Sequence, residues 1–445
     1  MKKILFAAAL LLAAMSSANA QFGKWQASEV KKVKDEKTGV ELNILTDTQK
    51  DDRFIYQTDP MWTPSGKYLL FRSSTRSNAP ELERTTPDGR TVKYRPTYYY
   101  FLEVATGRTI QATDETVGGV FLANTADKMF INRRDGGKWT MSVMDLTKFF
   151  ADAARNRANK IDDYLTYIGE FPDSEEMGRP GGWCVSSDDN WAYITVSRNV
   201  MPTPEELAIQ EKVAQKPRED QPVKVGQGMS GLRKMNLKTG EVSYIRNVPF
   251  RVGHIQASRF HPNEILFCCE TCGDAGQRMW YCDANTNEYK PLYQETPLDW
   301  VTHETFGTED YVYFNVLGWQ DRLRKQASGI FRINLRTDDV EVIGQVEMDK
   351  DRESSLKGRG FWHCNSTRDN RYAAGDTFAG SIWVINVETG QKCQVASDIK
   401  MAPDHGHPFF SPDGKHLCFQ SGHYSDGKRL NLMMVDITKL PNYTK

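Results

Sequence analysis

The sequence predicts an all-β chain, a seven-bladed β-propeller with short helical insertions. Two repeated phrases carry that prediction, and the spacing between copies supports it. The first is a polar turn followed by a short alternating strand. It occurs at Thr63–Phe71, Asn124–Ile131, Ser186–Ile194, His261–Phe267, Gly307–Phe314, Ser366–Tyr372 and Ser411–Phe419, seven copies in all. The second is a strand closing on a turn rich in Asn, Asp, Thr and Gly. Its seven copies lie at Val104–Gly107, Met144–Thr147, Met235–Gly240, Asp283–Thr286, Ile333–Thr337, Ile385–Gly390 and Val435–Thr438. Alternating strands joined by such turns are antiparallel hairpins, and a regular series of them is a radial array of small sheets. The period is roughly sixty residues, longer than the ~40–45 of a WD40 blade, so the excess belongs to loops and insertions.

Taken in order, residues 1–20 read as a signal peptide: Lys2 and Lys3, an apolar run from Ile4 to Met15, and small residues ending Ala18-Asn19-Ala20. The run is too short to cross a bilayer, no later stretch approaches 18 apolar residues, and Gln21 rather than Cys argues against a lipid anchor. The expected mature chain, 21–445, is a single propeller domain in a periplasm or outside the cell, with no membrane anchor. Only seven residues follow the last repeat, so the strand near 40–46 is expected to complete the last blade and close the ring. Two segments break the β pattern and read as helical: Leu146 to Asp163, and Thr203 to Gln215. The second has Thr203 as N-cap, Pro204 at the first helical position and Glu206 completing a capping box.

A formal net charge of −1 gives no global field to attract nucleic acid. The eight cysteines are too few for a disulfide scaffold in 445 residues, and most read as small buried hydrophobes. For Cys269-x-x-Cys272 with Cys282, a zinc or redox site lacks a second C-x-x-C and a surrounding βαβ unit, which leaves one local disulfide as the better reading.

The eight histidines are uneven, none lying before position 254. His254, His303, His363, His405 and His407 fall just ahead of a repeat's turn-strand phrase, and this shared phase brings blades four to seven to a common point at the axis. For any one of them a hydrogen-bonded structural histidine is the competing reading. His405-x-His407 on extended chain points both imidazoles to one face, which suits a single metal ion, and His363 from the neighbouring blade is a third nitrogen ligand. With a carboxylate or water added, Mn or Zn would fit.

The stretches Val252-Gly-His254, Phe267-Cys-Cys-Glu270, Gln277-Arg-Met-Trp280, Val301-Thr-His-Glu304, Trp362-His363, Gly375-Asp376 and Asp404-His-Gly-His-Pro408 resemble the oligogalacturonate lyases of polysaccharide lyase family 22. The likeness is dense from about 250 to 440 and before that is confined to the repeat rhythm and the helical insertion near 205–215. The resemblance implies a propeller that cleaves short oligogalacturonides by β-elimination with a divalent metal, typically Mn2+. It implies His303 as the proton-abstracting base and Arg278 as the active-site arginine. His254, Glu270 and Glu304 are implied as substrate contacts, and His363, His405 and His407 as metal ligands. The family's glutamine ligand, three residues before the H-x-H, is Ala402 here, with Asp404 as the available substitute. The implied partner is an oligogalacturonide or other uronate oligosaccharide, and the expected state a monomer or small homo-oligomer.

Two other readings compete. One is a non-catalytic periplasmic propeller resembling the TolB or WD40-like type, which explains the repeats but not the clustered histidines with Arg278. The other is a lyase for a different uronate polymer. A peptidase is excluded because Gly228-Met-Ser-Gly231 lacks the last spacing of a nucleophile elbow and no α/β domain follows it.

Overall fold

The computed structural model describes residues 21–441 apart from 78, 87–88, 114–116, 199, 214–228 and 348–358. The expected signal peptide therefore lies outside the described residues. Seven sheets of four or five antiparallel strands form the blades of a β-propeller, with an additional two-stranded hairpin, Leu82–Thr85 with Thr91–Tyr94, projecting from the first. Blades two to six each use four consecutive strands. Blade seven is composite: Phe409–Phe410, His416–Ser421 and Asn431–Asp436 are joined by Glu41–Ile44, which pairs with the last of them through Asn43–Met434 and Ile44–Met433. Lys31–Lys34 then forms the outer edge. Among the described residues no helix is long and apolar enough to cross a membrane.

The two repeated phrases are two turn chemistries. In the first, a hydroxyl folds back over the turn it opens. Ser411 Oγ donates to Asp413 and accepts from His416 N at 3.0 Å, and Ser186 and Thr367 repeat the pattern with Trp191 N and Tyr372 N. In the second, an Asn or Asp side chain accepts from the backbone two and three residues on: Asn236, Asp283, Asn334 and Asn386 all do so. The residue four on then turns left-handed, as Gly240, Asn287, Asp338 and Gly390 do at φ 77, 59, 60 and 69°. These demands explain why the same residue types recur.

The first helical insertion is shorter than its sequence pattern. Leu146–Ala154 is α-helical, capped by Asp145 and burying Leu146, Phe149, Phe150 and Ala153 on one stripe. Asn156, left-handed at φ 56°, follows the end of the helix, and Ile161–Tyr164 forms a separate 3-10 turn. The second, Pro204–Val213, carries the expected capping box, with Glu206 N on Thr203 Oγ1 at 3.2 Å and Thr203 N on Glu206 Oε2 at 2.8 Å. Residues 214 and 215 lie outside the described set. All eight cysteines are unpaired, so the expected local disulfide is absent; Cys269 is buried in a strand while Cys272 sits exposed in the turn beyond it.

Candidate active site

The innermost strands of blades four, five and six are Val252–Ala257, Val301–Phe306 and Phe361–Ser366, and the third residue of each is a histidine. At each histidine the ladder to the next strand loses register. His254 and His303 are left-handed there, φ 49 and 53°, and His407 is likewise at φ 47°. For an L-residue that conformation costs ~1–2 kcal/mol, and bulges of this kind re-aim a side chain out of the strand's alternation. The result is one cluster: ring centroids lie 4.0 Å apart for His303–His363, 4.2 Å for His363–His407, 5.3 Å for His363–His405 and 6.2 Å for His254–His303.

His363, His405 and His407 each bring a nitrogen within 4.8 Å of the other two. Asp376 grips His363: its carboxylate lies 3.0 Å from Nδ1 and also accepts from the backbone N–H groups of His363, Gly406 and His407. His407 Nδ1 is 2.7 Å from Gln57 Oε1. Such outer partners fix ring orientation and point the far nitrogens toward one another, with Asp404 beside that of His407, so the donor set fits a divalent ion. Burial, opposed by Asp376, pushes His363 down to about 3, which keeps it neutral as a ligand must be. His405 Nδ1 accepts from Trp362 Nε1 at 2.7 Å. Asp404, expected as a fourth ligand, is not within reach of all three imidazoles, but its Oδ1 lies 3.0 Å from His407 Nε2.

His303 is 8% exposed. Burial first, then the neighbouring His363 and Arg278, hold it well below the usual imidazole range. Its Nδ1 is 3.0 Å from Thr302 Oγ1, and among the described residues its other nitrogen has no hydrogen-bond partner. Arg278 lies beside it on blade four. Burial opposes its charge, but Cys268, Glu304 and Glu270 around it outweigh that. Glu270 bridges Arg278 (4.0 Å) and His254 (3.4 Å), and the His254 contact leads in holding its carboxyl down at about 2.

Glu304, expected as a substrate contact, lies behind Arg278. It is 0% exposed, and its Oε2 accepts from Arg278 Nε at 2.8 Å, which orients the guanidinium.

Sequence reasoning missed Tyr56 and Gln57. In blade one, Asp52–Arg53 pairs with Arg72 and Ser73, and Trp62 with Leu69; the residues between leave the sheet and enter the axis. There Tyr56 packs against His407 and His254 at 5.0 and 5.2 Å between ring centroids. Its phenol is pushed well above its usual value, first by burial and then by Glu304, so it keeps its proton. No motif marks this excursion; only its 350-residue separation from His407 closes in space.

With that geometry in view, the chain can be set beside known proteins. It is 25% identical to an oligogalacturonate lyase of Dickeya dadantii over 211 residues, 44% of this chain and 53% of that one. The match thus spans about half the length of that relative. No protein-family model matches. Among solved structures, an oligogalacturonate lyase in complex with manganese superposes with a TM-score of 0.67 at 19% identity, covering 93% of this chain and 98% of that one. The enzyme from Vibrio parahaemolyticus gives 0.66 at 17%, covering 94% and 99%. These likenesses establish the shared propeller fold.

Proposed function

We propose that this protein is an exported oligogalacturonate lyase, periplasmic or secreted, that cleaves short oligogalacturonides by β-elimination. The observation that carries the reading is the convergence of a buried histidine whose pKa is held low, a buried arginine and three imidazoles that could hold a metal ion. The resemblance to oligogalacturonate lyases in sequence and fold supports it.

In this reading a uronate residue enters with its carboxylate toward Arg278 and its C5–H toward His303. In the tautomer that donates Nδ1–H to Thr302 Oγ1, 3.0 Å away, His303 Nε2 carries the lone pair and takes the C5 proton. Charge that builds on the carboxylate is met by Arg278, held in a dry site by Glu304, where preorganised charge is worth far more than in water. The C4–O bond breaks as the C4=C5 double bond forms, and Tyr56, which retains its proton, supplies the hydrogen to the departing oxygen. A divalent ion on His363, His405 and His407, which we assign as Mn2+, would add electrophilic stabilisation to the same carboxylate.

The experiment is to incubate the purified chain with digalacturonate and trigalacturonate and identify the products by mass spectrometry and NMR. An unsaturated uronate at the new non-reducing end is expected, with Tyr56→Phe slowing kcat ~100-fold at little changed KM. Saturated products would overturn the elimination, and no cleavage of these or other uronate oligomers would favour the binding-propeller reading.

A further inference from the structure

Five residues beyond His254 on blade four lies Arg259, and five beyond His363 on blade six lies Arg368. At ~3.3 Å per residue for extended chain, this sets the Cα atoms of the two arginines up to roughly 16 Å along the chain from those of the histidines, past the ends of the inner strands at Ala257 and Ser366. They line one cavity with Asp59, Asn365 and Pro412, the last being five residues beyond His407.

The charges in that cavity do not balance. Among the described residues neither Arg259 nor Arg368 has a hydrogen bond or an ion pair to protein. Burial, and then the facing Arg368, push Arg259 down to about 10. Asp59 is the one carboxylate in the cavity lining, and burial lifts it to about 6 in spite of Arg259 and Arg72. An uncompensated charge taken out of water is expensive, and that cost falls on the half-buried Arg259; Arg368 reaches solvent and brings a second unpaired guanidinium to the same cavity. The space between these side chains is small, about 20 Å³ for the centres of water-sized atoms. That admits a water or a compact oxyanion and excludes a sugar ring.

We propose that Arg259 and Arg368 form a second ligand site, distinct from the histidine cluster, that takes one compact oxyanion past the ends of the two inner strands. Planar guanidiniums suit phosphate and carboxylate alike, since both accept paired N–H donors. A bound anion would join blades four and six across the axis and close off the excursion that carries Tyr56 and Gln57. The inference does not rest on the lyase reading.

The test is calorimetric titration of the full chain with inorganic phosphate and with acetate, at constant ionic strength, beside Arg368→Gln and Arg259→Gln. Arg368 is solvent-exposed, so its variant should fold even if Arg259→Gln does not. One saturable phosphate per chain, weakened tenfold or more in Arg368→Gln, is the expected result. Acetate binding in its place, lost in the same variant, would equally support the site and name its ligand as a carboxylate. Binding unaltered by Arg368→Gln, or no saturable binding of either anion at millimolar concentration, would overturn the proposal.

Discussion

Arg278 Nε lies 2.8 Å from Glu304 Oε2, and Glu304 is the chain neighbour of His303. One inner strand of blade five thus carries both the candidate base and the carboxylate that holds the arginine from blade four. The pair is buried on both sides, with side-chain exposures of 5% and 0%. Removing one partner leaves the other charged and desolvated. Glu304→Ala should therefore lose about 3–5 kcal/mol of stability, measured by urea denaturation. A loss below 1 kcal/mol would mean that the guanidinium finds another partner.

Asp376 collects the imidazole of His363 and three backbone N–H groups from two blades. Asp376→Asn replaces one accepting oxygen by a donor facing donors. Mn2+ affinity, read by calorimetry, should fall ~10–100-fold, although Asp376 is not itself in the imidazole trio. An unchanged affinity would place the ion elsewhere.

Glu295 gives the chain a pH dependence of its own. Burial leads in raising its carboxyl from 4.5 to about 8, although it accepts from Arg278 N and Val301 N. Because the folded value lies above the unfolded one, the native state binds the extra proton between them. Its contribution to stability is full below pH 4.5 and is lost as pH rises through 8. Urea midpoints measured from pH 5 to 9 should decline more in the parent chain than in Glu295→Gln, whose side chain stays neutral. Parallel declines in the two proteins would exclude this group as the cause.

Much of the architecture was legible because turn chemistry repeats. Ser411, Thr367 and Ser186 each fold a hydroxyl over the turn, and Asn236, Asn334 and Asn386 each organise the next one, so local hydrogen bonding imprints a rhythm on the sequence. His254, His303 and His363 were legible for a related reason: each is the third residue of its blade's inner strand, so shared phase brings them together, and His405 and His407 join them from just before Phe409–Phe410. Gln57 and Tyr56 were not, since they arrive on an irregular excursion whose backbone is held by hydrogen bonds from Phe54 N to Gln420 and from Asn365 to Gln57 O, far away in sequence. Glu304 reads as a substrate contact from its place in the motif beside His303. The burial of its carboxylate against Arg278 was not legible, because the ladder is irregular between Thr302 and Thr305 and strand alternation does not fix which way either side chain points. The helix beginning at Leu146 was extended too far because the turn at Asn156 offers no Gly or Pro to announce it.

The most direct measurement is ultraviolet absorbance of unsaturated product from trigalacturonate, with Mn2+ added, for the parent chain and for His303→Ala. A rising signal is expected in the parent, abolished by chelator, with the rate lowered by a factor of ~100–10,000 in the variant while Mn2+ binding is retained. A His303→Ala protein that binds Mn2+ and still turns over at the parental rate would contradict the assignment of His303 as the base.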